Sequence, residues 1–172
     1  MWFKKKEEKV KVQFARVNSE AKIPQKREED AAFDIYACFS EDYLEFSPHK
    51  TVMIPTGIAS CCSNDYCFIL KERGSTGSKG IGLRSGVVDS GYRGEWFVAL
   101  TNHNDKEVYI SKNGLILPAW KMNEAIVYPY EKAIAQAMVV PVPKIDINEI
   151  SYEELKAISS ERGTGKLGSS NK

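Results

Sequence analysis

Apolar residues recur at every second position of this chain in short runs, and polar turn formers interrupt them. Val10, Val12 and Phe14 alternate with Lys11 and Gln13, the period-two mark of a strand with one buried face. Runs of the same kind follow at 33–37, 51–54, 58–62, 67–70, 96–101, 108–110 and 133–140. Between them stand Ser47-Pro48, Pro55-Thr56-Gly57, Ser63-Asn64-Asp65, Asn102 to Asp105 and Asn113-Gly114. Such residues bend a chain by tolerating unusual φ or by bonding their own backbone. Many short strands punctuated in this way predict an all-β fold, a sandwich or jelly roll.

One helix interrupts the pattern. Ser151 and Glu154 have the spacing of a capping box, and Ile150 and Leu155 that of a hydrophobic staple, which predicts a short helix over 152–158 near the C-terminus. The GTGKLGSSNK that ends the chain is too small and polar to pack by itself and is expected to be mobile without ligand. The domain reading is therefore a β domain over 1–161 and a flexible arm over 162–172. The LPAWKMNEAIVYP stretch before Tyr130 carries no chemistry of its own and reads as a surface excursion.

Composition narrows the function classes. At 172 residues the chain fits one domain with a proper core. Lys and Arg number 24 against 23 Asp and Glu, so no global field favours nucleic acid or a membrane surface, and neither is expected as a partner. No apolar run reaches the roughly 20 residues that span a bilayer. MWFKKKEEK lacks the apolar core of a signal peptide, so a cytoplasmic location is expected. Cys38, Cys61, Cys62 and Cys67 form no CxxC pair and have only His49 and His103 for company. They read as reduced thiols packed as small hydrophobes, not a zinc site.

The chemistry lies in three stretches. ERGSTGSKGI (72–81) and RGTGKLGSS (162–170) are Gly-rich and basic, a composition that offers backbone N–H groups, hydroxyls and cations to a polyphosphate. Arg73 can grip phosphate with its guanidinium fork. GVVDSGYRGEW (86–96) places one carboxylate, Asp89, three residues before Tyr92 in a strand–turn–strand pattern. A lone rigid carboxylate can serve as general base for water attacking a phosphoanhydride, and Asp-Ser-Gly can equally be plain turn sequence. On the residues alone the two readings stand even. GTGK is not a phosphate-binding Walker loop, because that motif needs glycine where Ser160 stands and Ser or Thr where Leu167 stands.

These stretches, with AAFDIYA (31–37) before them and KAIAQ (132–136) between, resemble in order the five signature motifs of the homotrimeric dUTP pyrophosphatases, the dUTPases. The resemblance runs from about Val10 to Ser170. It implies a distorted β-barrel or jelly roll, and Mg²⁺-assisted attack of water on the α-phosphorus of dUTP. The products would be pyrophosphate and dUMP for thymidylate synthesis. It implies Asp89 as general base, Gln136 and Arg73 as catalytic partners, and Asp34 as a metal contact through water. Substrate contacts would come from Gly74, Ser75, Thr76, Gly86, Val87, Val88 and Tyr92, and from the arm residues Arg162, Gly163, Lys166, Leu167, Gly168 and Ser169. Tyr92 would lie under the deoxyribose and leave no room for a 2′-hydroxyl, and active sites would be shared between the subunits of a homotrimer.

Selection of uracil sets two physical demands. Main-chain hydrogen bonds to the base edge reject cytosine by up to ~10⁴-fold, because mismatched buried polar groups go unpaired. Thymine adds only a methyl, which an open apolar pocket would welcome by ~0.8 kcal/mol, so a tight wall must exclude it. A hairpin over roughly 81–96 would meet both. The chain departs from the family pattern at three places. Gly74 stands where a phosphate-binding serine is usual, so that either Ser75 takes over or backbone amides suffice; Ala133 replaces an arginine; and Leu167 replaces the phenylalanine that covers the base. These departures leave open a non-catalytic nucleotide-sensing or partner-binding role on the same scaffold. A dCTP deaminase, the other related reading, would need a glutamate where Ala99 stands.

Overall fold

The computed structural model describes residues 9–112 and 124–165. The chain divides into two compact units, Met1–Val142 and Pro143–Lys172. The first holds twelve strands among its described residues: β1 (Val12–Arg16), β2 (Phe33–Ile35), β3 (Tyr43–Phe46), β4 (Thr51–Pro55), β5 (Ile58–Cys62), β6 (Tyr66–Lys71), β7 (Ile81–Arg84), β8 (Val87–Val88), β9 (Phe97–Asn102), β10 (Glu107–Ser111), β11 (Ala125–Pro129) and β12 (Ala135–Pro141). A one-turn helix, α1 (Gly74–Gly77), stands between β6 and β7.

The strands pair into four sheets, β1-β5, β11-β10-β3, β2-β12-β6-β8 and β4-β9-β7. The fold is thus all-β as the alternation predicts, and the described strands do not close into a single barrel. Every run read from the alternation overlaps a strand, with ends that differ by one or two residues in several cases. Four strands escaped that reading. β7 carries a glycine, β8 has two residues, β3 starts on an exposed tyrosine, and β11 falls in the stretch read as a surface excursion. That last reading is corrected for 125–129. Tyr128 points inward and is buried, Val127 points out, and β11 joins β10 in parallel register from Glu107↔Ala125 to Ser111↔Pro129. Residues 117–123 of the same stretch lie outside the described residues.

The core gathers the inward faces. Ile54, Val98, Leu100 and Ile81 come from β4-β9-β7, and Phe68, Leu70, Ala135 and Ala137 from β6 and β12. Phe14, Phe68 and Trp96 form an aromatic cluster with centroid distances of 5.8, 5.7 and 4.9 Å. Phe68 pairs across to Val88, and Trp96 closes the loop that follows, so this cluster pins both ends of the 86–96 segment. The expected hairpin is not a simple one. β8 pairs with β6, whereas β7 and the returning β9 pair with each other in another sheet.

In the second unit α2 (Tyr152–Ala157) carries the predicted capping box. Ser151 Oγ accepts from the Glu154 N–H, and Glu154 Oε2 accepts from the Ser151 N–H at 2.8 Å. That exchange satisfies two N–H groups left over at the helix start; the Ser151 hydroxyl, donating to Glu154 Oε2 at 2.7 Å, and the Ser151 N–H hold the Glu154 carboxyl below the usual carboxylate range.

Candidate active site

Strand register brings the first group together. On β12, Gln136 is partnered by Asp34 of β2 on one side and by Lys71 of β6 on the other. Direct cross-strand partners share a face, so Asp34, Gln136 and Lys71 form a row. They line a cleft of about 790 Å³ together with Arg73, Glu72, Arg27 and Asp30.

Arg73 occupies the turn from β6 into α1. Its Nε lies 2.9 Å from Asp34 Oδ1 as an ion pair, and its Nη2 donates to Oδ2 at 3.4 Å. Its Nη1 donates to Ser75 Oγ at 3.3 Å. Gln136 Nε2 donates to the Glu72 carbonyl at 2.7 Å, which ties β12 to the same turn. The Glu72 carboxyl, accepting from its own backbone N–H and from that of Leu83, sits below the usual carboxylate range. Thr76 is turned inward: it is buried, its hydroxyl donates to the Arg73 carbonyl at 3.0 Å and accepts from the Arg73 N–H at 3.1 Å. Thr76 therefore shapes the turn. Gly74 has open space where a side chain would stand.

The cleft has a rim that the sequence reading missed. Arg27 grips Asp30 by Nε to Oδ2 at 2.9 Å and by Nη2 to Oδ1 at 2.8 Å. Those bonds pull the Asp30 carboxyl down to about 2. Lys26 Nζ donates to the Asp30 carbonyl at 2.7 Å and closes the same loop. Opposite charges three residues apart were the available signal.

Asp89 and Tyr92 sit elsewhere on the unit. The Tyr92 N–H donates to the Asp89 carbonyl at 3.1 Å and closes a turn just after β8. Tyr92 OH donates to the Glu95 carbonyl at 3.0 Å, and Arg93 Nη1 to the Ser90 and Ser60 carbonyls at 2.6 and 3.2 Å. The loop is rigid at its base, while Tyr92 stays 46% exposed. Gly86 is needed here for space, because a Cβ would stand 2.7 Å from the Leu70 carbonyl oxygen. Val87 and Val88 pair with Ile69 and Phe68 in antiparallel register, so Asp89 comes level with Cys67 near the N-terminal end of β6, while Arg73 lies beyond its C-terminal end. At about 3.3 Å per residue, the six positions from Cys67 to Arg73 set the two on the order of 20 Å apart along the strand. Among the described residues the Asp89 carboxylate makes no hydrogen bond to the Arg73 group.

In the second unit, the Gly165 N–H donates to the Arg162 carbonyl at 3.2 Å, and Gly163 has φ +52°. Lys166, Leu167, Gly168 and Ser169 lie outside the described residues. No group of three or more His, Cys, Asp or Glu among the described residues could hold a metal ion. Asp34, Asp30 and Glu72 are the carboxylates that line the cleft. The four cysteines are free thiols, and burial pushes Cys38 and Cys62 up. No helix among the described residues is long and apolar enough to cross a membrane.

A family model described as dUTPase matches residues 19–116. The deoxyuridine 5′-triphosphate nucleotidohydrolase of Gloeobacter violaceus is 33% identical over 144 residues, covering 82% of this chain and 82% of that protein. Among solved structures, a mutant dUTPase of Staphylococcus bacteriophage 80alpha with dUpNHpp superposes with a TM-score of 0.73 at 21% identity, covering 93% of this chain and 98% of that one. A mutant dUTPase from phage phi11 of S. aureus, described for its coordination of a structural Mg(II) ion, gives a TM-score of 0.63 at 21% identity, covering 81% and 96%. At such identities the structural likeness speaks for the fold.

Proposed function

We infer the activity from one premise: this chain belongs to the dUTPase family. It hydrolyses dUTP to dUMP and pyrophosphate. The observation that carries the reading onto particular residues is the Asp34–Arg73–Gln136 constellation, a fixed guanidinium and an amide in one cleft. Arg73 grips the phosphates and stabilises charge that grows in the transition state. Gln136 helps to place the water and the α-phosphate. Asp89 takes a proton from that water as its oxygen bonds to the α-phosphorus and the bridging P–O bond to pyrophosphate breaks. Gly74, Ser75, Gly86, Val87, Val88 and Tyr92 contact the nucleotide, as does the arm from Arg162 onward.

One carboxylate in the cleft fits Mg²⁺, which binds phosphate oxygens, keeps several waters and needs few protein ligands. Asp34 would hold it through water, and the ion would offset charge on the triphosphate. The separation between Asp89 and Arg73 supports a homotrimer in which each site combines the Asp89 loop of one subunit with the cleft of another. The free cysteines accord with a reducing, cytoplasmic setting.

Neither alternative is favoured. Ala99, buried in β9, can transfer no proton, which removes deamination; and the family assignment favours catalysis over mere sensing. The test is pyrophosphate release from each deoxynucleoside triphosphate and from UTP, with and without Mg²⁺. Turnover should be confined to dUTP and depend on Mg²⁺, with no ammonia from dCTP. Comparable rates on dTTP, dCTP or UTP would overturn the selectivity.

A further inference from the structure

Arg73, Ser75, Tyr128 and the Ala133 carbonyl lie along one line of hydrogen bonds, and donor counting gives the line a direction. The Tyr128 hydroxyl has a single proton, and that proton goes to the Ala133 carbonyl oxygen at 2.8 Å, which can only accept. In its 3.1 Å contact with Ser75, Tyr128 is therefore the acceptor, and Ser75 Oγ donates its own single proton. Ser75 in turn accepts from Arg73 Nη1 at 3.3 Å.

The guanidinium can be counted in the same way. It has five N–H groups. Nη2 gives one to Asp34 and Nη1 gives one to Ser75, while Nε lies in ion-pair contact with Asp34 at 2.9 Å. One N–H is left on each Nη nitrogen. That pair suits two oxygens of a phosphate. Both sides of the guanidinium are thus braced, by Asp34 and by the serine–tyrosine line. The far end of the line is rigid, because Tyr128 and Ala133 are 1% and 2% exposed and β11 is paired along its length with β10.

We propose that Tyr128 is a positioning residue for dUTP hydrolysis, acting through Ser75 to hold Arg73 with its two remaining N–H groups available to the triphosphate. The inference rests on the activity proposed above and adds a residue to it. It also changes the part assigned to Ser75. A serine whose proton is committed to Tyr128 orients the arginine, and a phosphate contact is not its first task. Tyr128 lies in the stretch for which the sequence offered no role.

Two variants test this. Tyr128→Phe keeps the ring and removes the hydroxyl; Ser75→Ala cuts the line one step nearer the arginine. Each should lower kcat for dUTP about 10-fold with KM changed far less, because a preorganised donor acts chiefly on charge developing in the transition state. The double variant should be no slower than either single one, since both break the same line. Unchanged kcat in Tyr128→Phe, or a roughly 100-fold fall in the double variant from independent effects, overturns the proposal. If Tyr128→Phe does not fold, Ser75→Ala decides alone, and an unchanged kcat there overturns it. A measurement on the nucleotide-free protein separates this inference from the activity itself. Exchange of the Arg73 Nη1–H with solvent should be slow in the wild type and faster in both variants. Equal exchange in all three overturns the line whatever the turnover.

Discussion

The cleft and the Asp89 loop differ in how their functional groups are held. In the cleft, Asp34 and Arg73 bond each other, Ser75 bonds Arg73, and Gln136 bonds the turn that carries them. In the loop the backbone is tied down by Tyr92, Arg93 and Trp96, while the Asp89 side chain is exposed. The difference follows from what each chemistry needs. Donors that grip a polyphosphate gain by being fixed before it arrives, since nothing must reorganise as charge develops. In the proposed role of general base, Asp89 must reach water, and an exposed carboxylate on a fixed carrier suits that. The register of β6 and β8 then sets the two apart by more than either side chain can reach; in the trimer proposed above, each chain would carry half of two sites.

Breaking the open half should have the largest effect. Asp89→Asn keeps size and most hydrogen bonding, so dUTP binding should persist while kcat falls by ~10²–10⁴-fold. Mixing that variant with Arg73→Ala chains sharpens the comparison. If halves of one site come from different subunits, mixed trimers should regain activity that neither parent has. No recovery, with mixing verified by mass, would mean that a single chain supplies both groups.

A moderate effect is expected where the two regions touch. Gly86→Ala drives a Cβ towards the Leu70 carbonyl, in the span where the Leu70 N–H donates to the Gly86 carbonyl at 2.6 Å. Relief requires β8 to move from β6, at about 1–3 kcal/mol of stability. Urea unfolding reads the loss; an unchanged midpoint would place the two strands farther apart.

The smallest effect concerns the rim. The folded-state value of Asp30 is lowered from 3.8 to about 2, so its pairing with Arg27 contributes fully above 3.8 and is lost as pH falls through about 2. Both groups are exposed, and the pair is worth little to global stability. Titration of the Asp30 carboxyl followed by NMR should show the low midpoint, and a midpoint near 3.8 would mean that the rim is open.

Most of the strand order and the helix near the C-terminus were legible in the sequence because both signals are local. Alternation within β1, β4 and β5 states which face is buried, and Ser151 with Glu154 states where a helix starts. Asp34, Arg73, Asp89 and Gln136 were legible through their motif residues. The rest was not, because it depends on pairing between distant segments. Nothing near Lys71 announces that Gln136, 65 positions later, will be its cross-strand partner. β11 hides because its single deeply buried side chain, Tyr128, has exposed residues on either side.

By itself the sequence determined an all-β chain with a polyphosphate-binding composition, a lone acid in a turn and a capped helix. Those properties depend on residue type and on spacing within a few positions. Tertiary structure alone decided that Thr76 faces inward, that Ser75 gives its proton to Tyr128, and that Asp89 stands away from Arg73. Each of these follows from which strands share a sheet, and that choice is made by long-range burial and hydrogen-bond closure that no local window of residues contains.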